Sequence, residues 1–146
     1  MKAISLWQPW ASLWCSPRKM HETRHWPTNN RGWILVHAAK RFEKDFDTDF
    51  AGMLREEFGA TWYRDLPRGA IIGAVELIEC RRTEEIYPPD CGGVGDDYIS
   101  GNFYEGRYAW QRRGFQLFEM PIPYRGAQGF FTVDDALVPE FRRETA

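Results

Sequence analysis

Residues 4–40, ISLWQPWASLWCSPRKMHETRHWPTNNRGWILVHAAK, decide how the chain is read. The apolar run at 4–7 has strand character and breaks at Gln8-Pro9. Pro9 suits the first position of a helix, where its missing N–H would have no intrahelical partner. Trp10, Leu13 and Trp14 follow at helical spacing, and Pro17 disfavours helical geometry at Ser16, so the helix stops about there. Arg18, Lys19, His21, Glu22, Arg24 and His25 then crowd into eight positions, closed by Trp26-Pro27. A turn over 28–32 leads into a buried strand at 33–37, with Lys40 and Arg41 beyond it. Charge packed between aromatic-rich strands marks a site more than a core.

Working outward, residues 42–59 read as an amphipathic helix whose stripe is Phe46, Phe50, Met53 or Leu54, and Phe58. Gly59 stands where a left-handed C-cap would fall. Residues 70–78, AIIGAVELI, form a central strand, and Gly73 inside it predicts a bulge or a close backbone approach. Residues 81–106 carry Pro88-Pro89 and Gly92-Gly93-x-Gly95, which interrupt regular structure. So long a loop in a small domain is often functional, and a lid over the site is expected. GGVG lacks the Lys-Ser/Thr of a phosphate loop. Strands are expected at 107–111, 114–119 and 130–133, with Pro121 and Pro123 on an edge or connection and a short helix capped by Asp134 or Asp135.

The 146 residues are expected to form one domain over 1–146. Its class is α+β: a small mixed β-barrel of curved strands with two or three flanking helices. Seven Trp, six Tyr and ten Phe mostly fill that core, leaving a minority for stacking on bases. The net charge of −2 excludes a polycation, so nucleic-acid binding requires a local basic face. Arg18, Lys19, Arg24, Arg31, Lys40 and Arg41 supply one. Cys15, Cys80 and Cys91 are scattered and odd in number, which points to a reducing, cytoplasmic setting and to neither a disulfide framework nor a zinc site. No metal or other cofactor is expected. No run approaches membrane-spanning length.

Several spaced motifs together resemble one family. They are Gln8-Pro9-Trp10-Ala11, Lys19-x-x-Glu22-x-Arg24-x-Trp26-Pro27, Arg31-Gly32 before a strand ending in His37-Ala38, the Gly69 to Leu77 run, and the Tyr124 to Phe131 run. In this order they resemble the ASCH domain family of the PUA-like superfamily. The resemblance implies a PUA-like barrel and a nucleic-acid cleft. Small relatives with this fold hydrolyse an acyl group from modified cytidine, through a Lys-x-x-Thr motif and a later glutamate. Lys19 matches that lysine, whereas Glu22 occupies the threonine position and Thr23 is one residue out of register. The later glutamate falls among Glu84, Glu85 and Glu105.

The leading expectation is a module for single-stranded RNA. Lys19, Arg24, Arg31 and Lys40 would hold phosphates, since arginine offers a planar fork for them, and Trp26 would stack. Trp7, Gln8 and Trp10 form a candidate base cage in which two indoles flank a reading amide. The alternative is a hydrolase on a modified nucleoside, or a ribonuclease, with Lys19 and Glu22 as the catalytic pair. A desolvated lysine beside a carboxylate can serve as base or nucleophile. His37 could face the same cleft, though a satisfied core histidine is the commoner outcome.

Overall fold

A computed structural model describes residues 1–141. Its elements run β1 (Lys2–Gln8), α1 (Trp10–Trp14), β2 (His21–Arg24), β3 (Gly32–Phe42), α2 (Thr48–Phe58), α3 (Trp62–Asp65), β4 (Ala70–Arg82), α4 (Thr83–Ile86), α5 (Asp96–Ile99), β5 (Tyr108–Pro123) and β6 (Phe130–Thr132). A 3-10 turn at Asp135–Leu137 follows, with Asp134 accepting from the Ala136 N–H.

All six strands belong to one sheet in the order β2-β5-β4-β3-β1-β6. β1 and β3 run parallel; every other pair is antiparallel. The sheet is open, with β2 and β6 at its edges, and this corrects the expected barrel. The edge strands have four and three residues, too short a rim to zip the two ends together. Strong curvature is present all the same. Phe130 of the edge strand β6 stacks on Trp110 of β5, at 5.5 Å and 7° between planes, so the sheet curls over its own core without closing.

Gly73 is one source of that curvature. The β4–β5 register shifts between Ile71 and Gly73, and a Cβ at Gly73 would collide with the carbonyl oxygen of Gln116 and approach the Cys15 sulfur at 3.1 Å. Only glycine lets the two backbones meet there. The shift also changes which face each side chain takes. Ile72, Val75 and Leu77 pack with Ile4, Leu6, Val36, Trp14 and Trp110 in one core, while Ile71 and Ala74 pack with Ala3, Leu35, Phe118 and Val133 in another. A regular strand would have placed 72 and 74 together.

Five helices replace the expected two or three, because α3, α4 and α5 are single turns of four residues with no periodicity to announce them. The helix expected over 42–59 starts at Thr48. Asp47 caps it by accepting from the Phe50 N–H at 2.9 Å, which ends the extended chain of β3. Gly59 follows it with φ 94° and ψ 169°, a positive-φ exit but not a left-handed one. Phe50, Met53 and Leu54 join Leu13 of α1 and Trp62 in a third cluster, which fixes α2 against α1. The expected strands at 107–111 and 114–119 merge into the single β5. Pro121 and Pro123 lie where β2 no longer borders it, an edge position for residues that cannot donate to a ladder.

Candidate functional site

The charged run that follows α1 does not form a helix. Lys19 precedes β2, and His21–Arg24 pairs antiparallel with β5, placing Glu22 opposite Trp110 and Arg24 opposite Tyr108. Lys19 is fully buried. Its Nζ donates to the carbonyl of Ser100 at 2.7 Å. Burial pushes its pKa below the ordinary lysine value, against the opposing pull of Glu22 and Asp97. The Glu22 carboxylate is buried as well. Its Oε1 accepts from the Thr23 N–H at 3.0 Å, and its Oε2 accepts from none of the described residues.

Asp97 organises the far wall. It accepts from the Met20 and His21 N–H groups, from His21 Nδ1 and from the Tyr87 hydroxyl, all at 2.8 to 3.1 Å. Burial would raise its pKa, but these donors outweigh it and hold the carboxyl at about 2. Arg18 meets Glu56 and Glu57 of α2 and Asp96 of α5 at 2.9 to 3.2 Å. Together these contacts dock α5, and the segment expected to act as a lid, onto α2 and the start of β2.

Between them opens a cleft of about 380 Å³. One wall is aromatic: Trp10, Phe46 and Phe50, with Phe46 4.5 Å from Phe50 and 5.5 Å edge-on from Trp10. The other side is polar, made by Glu22, Thr23, Ser100, Asn102 and Arg107. Arg107 donates to the carbonyls of Asn102 and Thr23 and to His25 Nδ1; none of the three is a carboxylate. Arg24 lies behind Glu22, with its guanidinium 4.3 Å from the Trp26 ring and 5.5 Å from that of Trp110. Burial lowers its pKa, opposed by Glu22 and aided by Arg107.

The structure therefore brings together Lys19, Glu22, Arg24, Trp26 and Trp10, and disperses the remaining sequence candidates. Arg31 pairs with Glu79 at 3.2 Å and donates to the Thr28 and Asn30 carbonyls. Lys40 lies along Gly69. The grouping of Trp7, Gln8 and Trp10 as a cage is not assembled. Gln8 is buried with its amide nitrogen on Ser12 Oγ and the Pro67 carbonyl and its oxygen on the Ser12 N–H, so nothing is left to read a base. Trp7 is exposed under Arg41. His37 is satisfied by Ser5 Oγ and the Tyr124 carbonyl and lines a different cavity. Sequence reasoning missed Asp97, Ser100, Asn102 and Arg107 as site residues. Phe46 and Phe50 were legible only as a helix stripe.

Among the described residues no three His, Cys, Asp or Glu side chains converge as a metal site, and Cys15, Cys80 and Cys91 are free thiols. No helix of the described residues is long and apolar enough to cross a membrane.

A family model described as the ASCH domain matches residues 4–112, a span that holds every described residue lining the cleft. Activating signal cointegrator 1 of Homo sapiens is 34% identical over 80 residues, covering 53% of this chain; the match spans 14% of that protein's length. The crystal structure of an ASCH protein from Zymomonas mobilis aligns over 93% of this chain and 89% of that one, with a TM-score of 0.55 and 17% identity. A point variant of the same Zymomonas mobilis protein gives 0.55 over 93% and 91%. At that identity the likeness concerns the fold.

Proposed function

The chain belongs to the ASCH domain family, and on that premise we propose that it binds single-stranded nucleic acid, RNA ahead of DNA, by taking one unstacked base into the cleft beside Glu22. The observation that carries this reading is the pairing of an aromatic wall with a buried carboxylate whose Oε2 accepts from none of the described residues. Trp10, Phe46 and Phe50 supply an apolar surface for the π-face of a base. Glu22 Oε2 accepts from the exocyclic amine of cytosine or adenine, as carboxylates do from cytosine N4. Arg107, which meets no carboxylate among the described residues, meets the adjoining phosphate. RNA presents such bases in loops and ends, where they need not be pulled from a duplex.

Lys19 has another part in this reading than the one expected from sequence. With Nζ on the Ser100 carbonyl and no exposure, it props the Ser100–Asn102 side of the cleft and sits behind Glu22. Fluorescence anisotropy with short single-stranded RNA and DNA at two salt concentrations tests the proposal. Binding that weakens as salt rises, and that Arg107→Gln weakens, is the expected result; no binding at low salt removes it.

A second reading is favoured by one observation, the lowered pKa of Lys19 beside Glu22. Ser100 lines the cleft and holds the Lys19 Nζ by its carbonyl, so a short shift of that turn would bring this amine, which burial makes easier to deprotonate, to a modified cytidine. This hydrolase reading requires turnover of an acylated cytidine that Lys19→Met abolishes. Mass spectrometry of the released nucleoside decides it.

A further inference from the structure

A second cavity, of about 910 Å³, lies over the Ser5–His37 pair midway along β1. Its floor and its overhanging loop are both tightly specified. Ser5 and His37 are partners across the parallel β1–β3 ladder, with Ser5 Oγ 2.9 Å from His37 Nδ1 and His37 Nε2 2.7 Å from the Tyr124 carbonyl. A carbonyl can only accept, so in the neutral ring Nε2 carries the proton and Nδ1 accepts from the Ser5 hydroxyl. The floor is then internally satisfied.

The loop after β5 is tied down by the same bond, by Tyr124 N–H to the Gly69 carbonyl at 3.1 Å, and by stacking of Tyr124 on Phe131 at 14°. Gly126 packs directly on the pair. A Cβ there would stand 2.7 Å from His37 Cε1 and 3.1 Å from Ser5 Oγ. Close seating of this backbone leaves a run of donors without acceptors: among the described residues, nothing accepts from the N–H groups of Arg125, Gly126, Ala127 and Gln128. Two cations complete the cavity. The Lys40 stem rests on Gly69, and the Arg125 side chain lines the rim. Neither forms an ion pair with a carboxylate among the described residues. Among the described residues no Asp or Glu lines the cavity, in a protein whose net charge is −2.

From this combination we infer that the cavity is a phosphate-binding site, in which the loop N–H groups and the Lys40 and Arg125 side chains hold the group over the Ser5–His37 floor. Successive backbone N–H groups in a constrained loop form anion-binding concavities. An unpaired lysine and arginine add charge-assisted donors, and no carboxylate opposes them. Pre-seating of the loop by Gly126 removes the ordering cost that a mobile loop would incur on binding. None of the residues lining this cavity lines the base cleft, so the inference stands or falls apart from that reading.

The test is an amide nitrogen–proton NMR titration of the whole chain with inorganic phosphate, ionic strength being held constant with chloride. Saturating shifts at Gly126, Ala127 and Gln128 that vanish in the Lys40→Gln, Arg125→Gln double variant are expected. Shifts that fail to saturate, or that persist unchanged in the double variant, overturn the site. Gly126→Ala, which lifts the loop and keeps both cations, is expected to weaken phosphate about tenfold; unchanged affinity would equally overturn the role given to the loop. A second arm adds single-stranded RNA at saturating phosphate. Displacement of the phosphate assigns the site to a nucleic-acid backbone; retention assigns it to a small phosphorylated molecule, with the phosphate site intact in both cases.

Discussion

Lys19 and Ser100, 81 positions apart, are joined by a 2.7 Å hydrogen bond from Nζ to the carbonyl oxygen. The lysine making it has no solvent exposure. An ammonium in that position ties the turn after α5 to the segment before β2, and it makes the fold answer to pH. The folded-state pKa lies below the usual 10.5, so between that lowered value and 10.5 the unfolded chain binds more protons than the folded one. Stability attributable to this group therefore rises with pH through that window. Thermal melts from pH 7 to 10.5 should show wild type gaining on Lys19→Met as pH increases, and parallel curves would refute the assignment.

Asp97 gives a slope of the same sign in a far more acidic window. Its carboxyl is held at about 2 against an ordinary 3.8, so its contribution is complete above pH 4 and fades as pH falls toward 2. The shift corresponds to about 2–3 kcal/mol at neutral pH. Asp97→Asn should lose about that much in urea unfolding at pH 7 and almost nothing at pH 2. Equal losses at both pH values would show that the carboxylate's charge is not what docks α5.

Gly73→Ala should destabilise the fold by about 1–3 kcal/mol or more, because a methyl group would be forced against the Gln116 carbonyl where β4 meets β5. Gly52, on α2 with open space around a built Cβ, is the control. Gly52→Ala should raise the melting temperature slightly, since alanine is the better helix former by about 1 kcal/mol. Differential scanning calorimetry of the two variants separates crowding from a general effect of losing glycine.

In the base cleft, stacking and charge should come apart. Trp10→Ala should cost single-stranded RNA about 1–3 kcal/mol of affinity while leaving the salt dependence unchanged. Arg107→Gln should flatten that dependence by about 0.7 in the log–log slope, the value for one phosphate on a single strand. Anisotropy titrations at three salt concentrations read both quantities.

Much of this was legible locally. Glycine inside the β-branched 70–78 run announced the bulge, since nothing else in a central strand favours that residue. The Lys19, Glu22, Arg24 and Trp26 grouping was legible because those residues are neighbours in the chain. What stayed hidden was brought in from a distance. Asp97 works by accepting backbone N–H groups from β2, and an acidic residue in a glycine-broken stretch shows no sign of that. Its four-residue helix is too short for periodicity. For His37 the sequence left two places open, the charged cleft near Lys40 and, more often for such a residue, a satisfied position in the core. The parallel pairing of β1 with β3 decided its surroundings instead, by setting Ser5 opposite. The barrel expectation failed for a related reason: curvature is written in local glycines, while closure depends on whether two edge strands meet.

The strand order has a last consequence, for how the molecule comes off the ribosome. β1 lies between β3 and β6, and β6 is drawn from residues 130–132, so β1 acquires its second neighbour only after β2 to β5 have all been made. β2 likewise waits for β5, more than eighty residues later. Until residue 132 has emerged, β1 offers one unpaired edge to any other extended chain. Pairings this distant also have to close long loops before they are rewarded, which slows folding. The nascent protein therefore depends on a shielded edge during synthesis, and a chain that has emerged past residue 123 but not as far as residue 130 should carry β2 through β5 with β1 still open on one side.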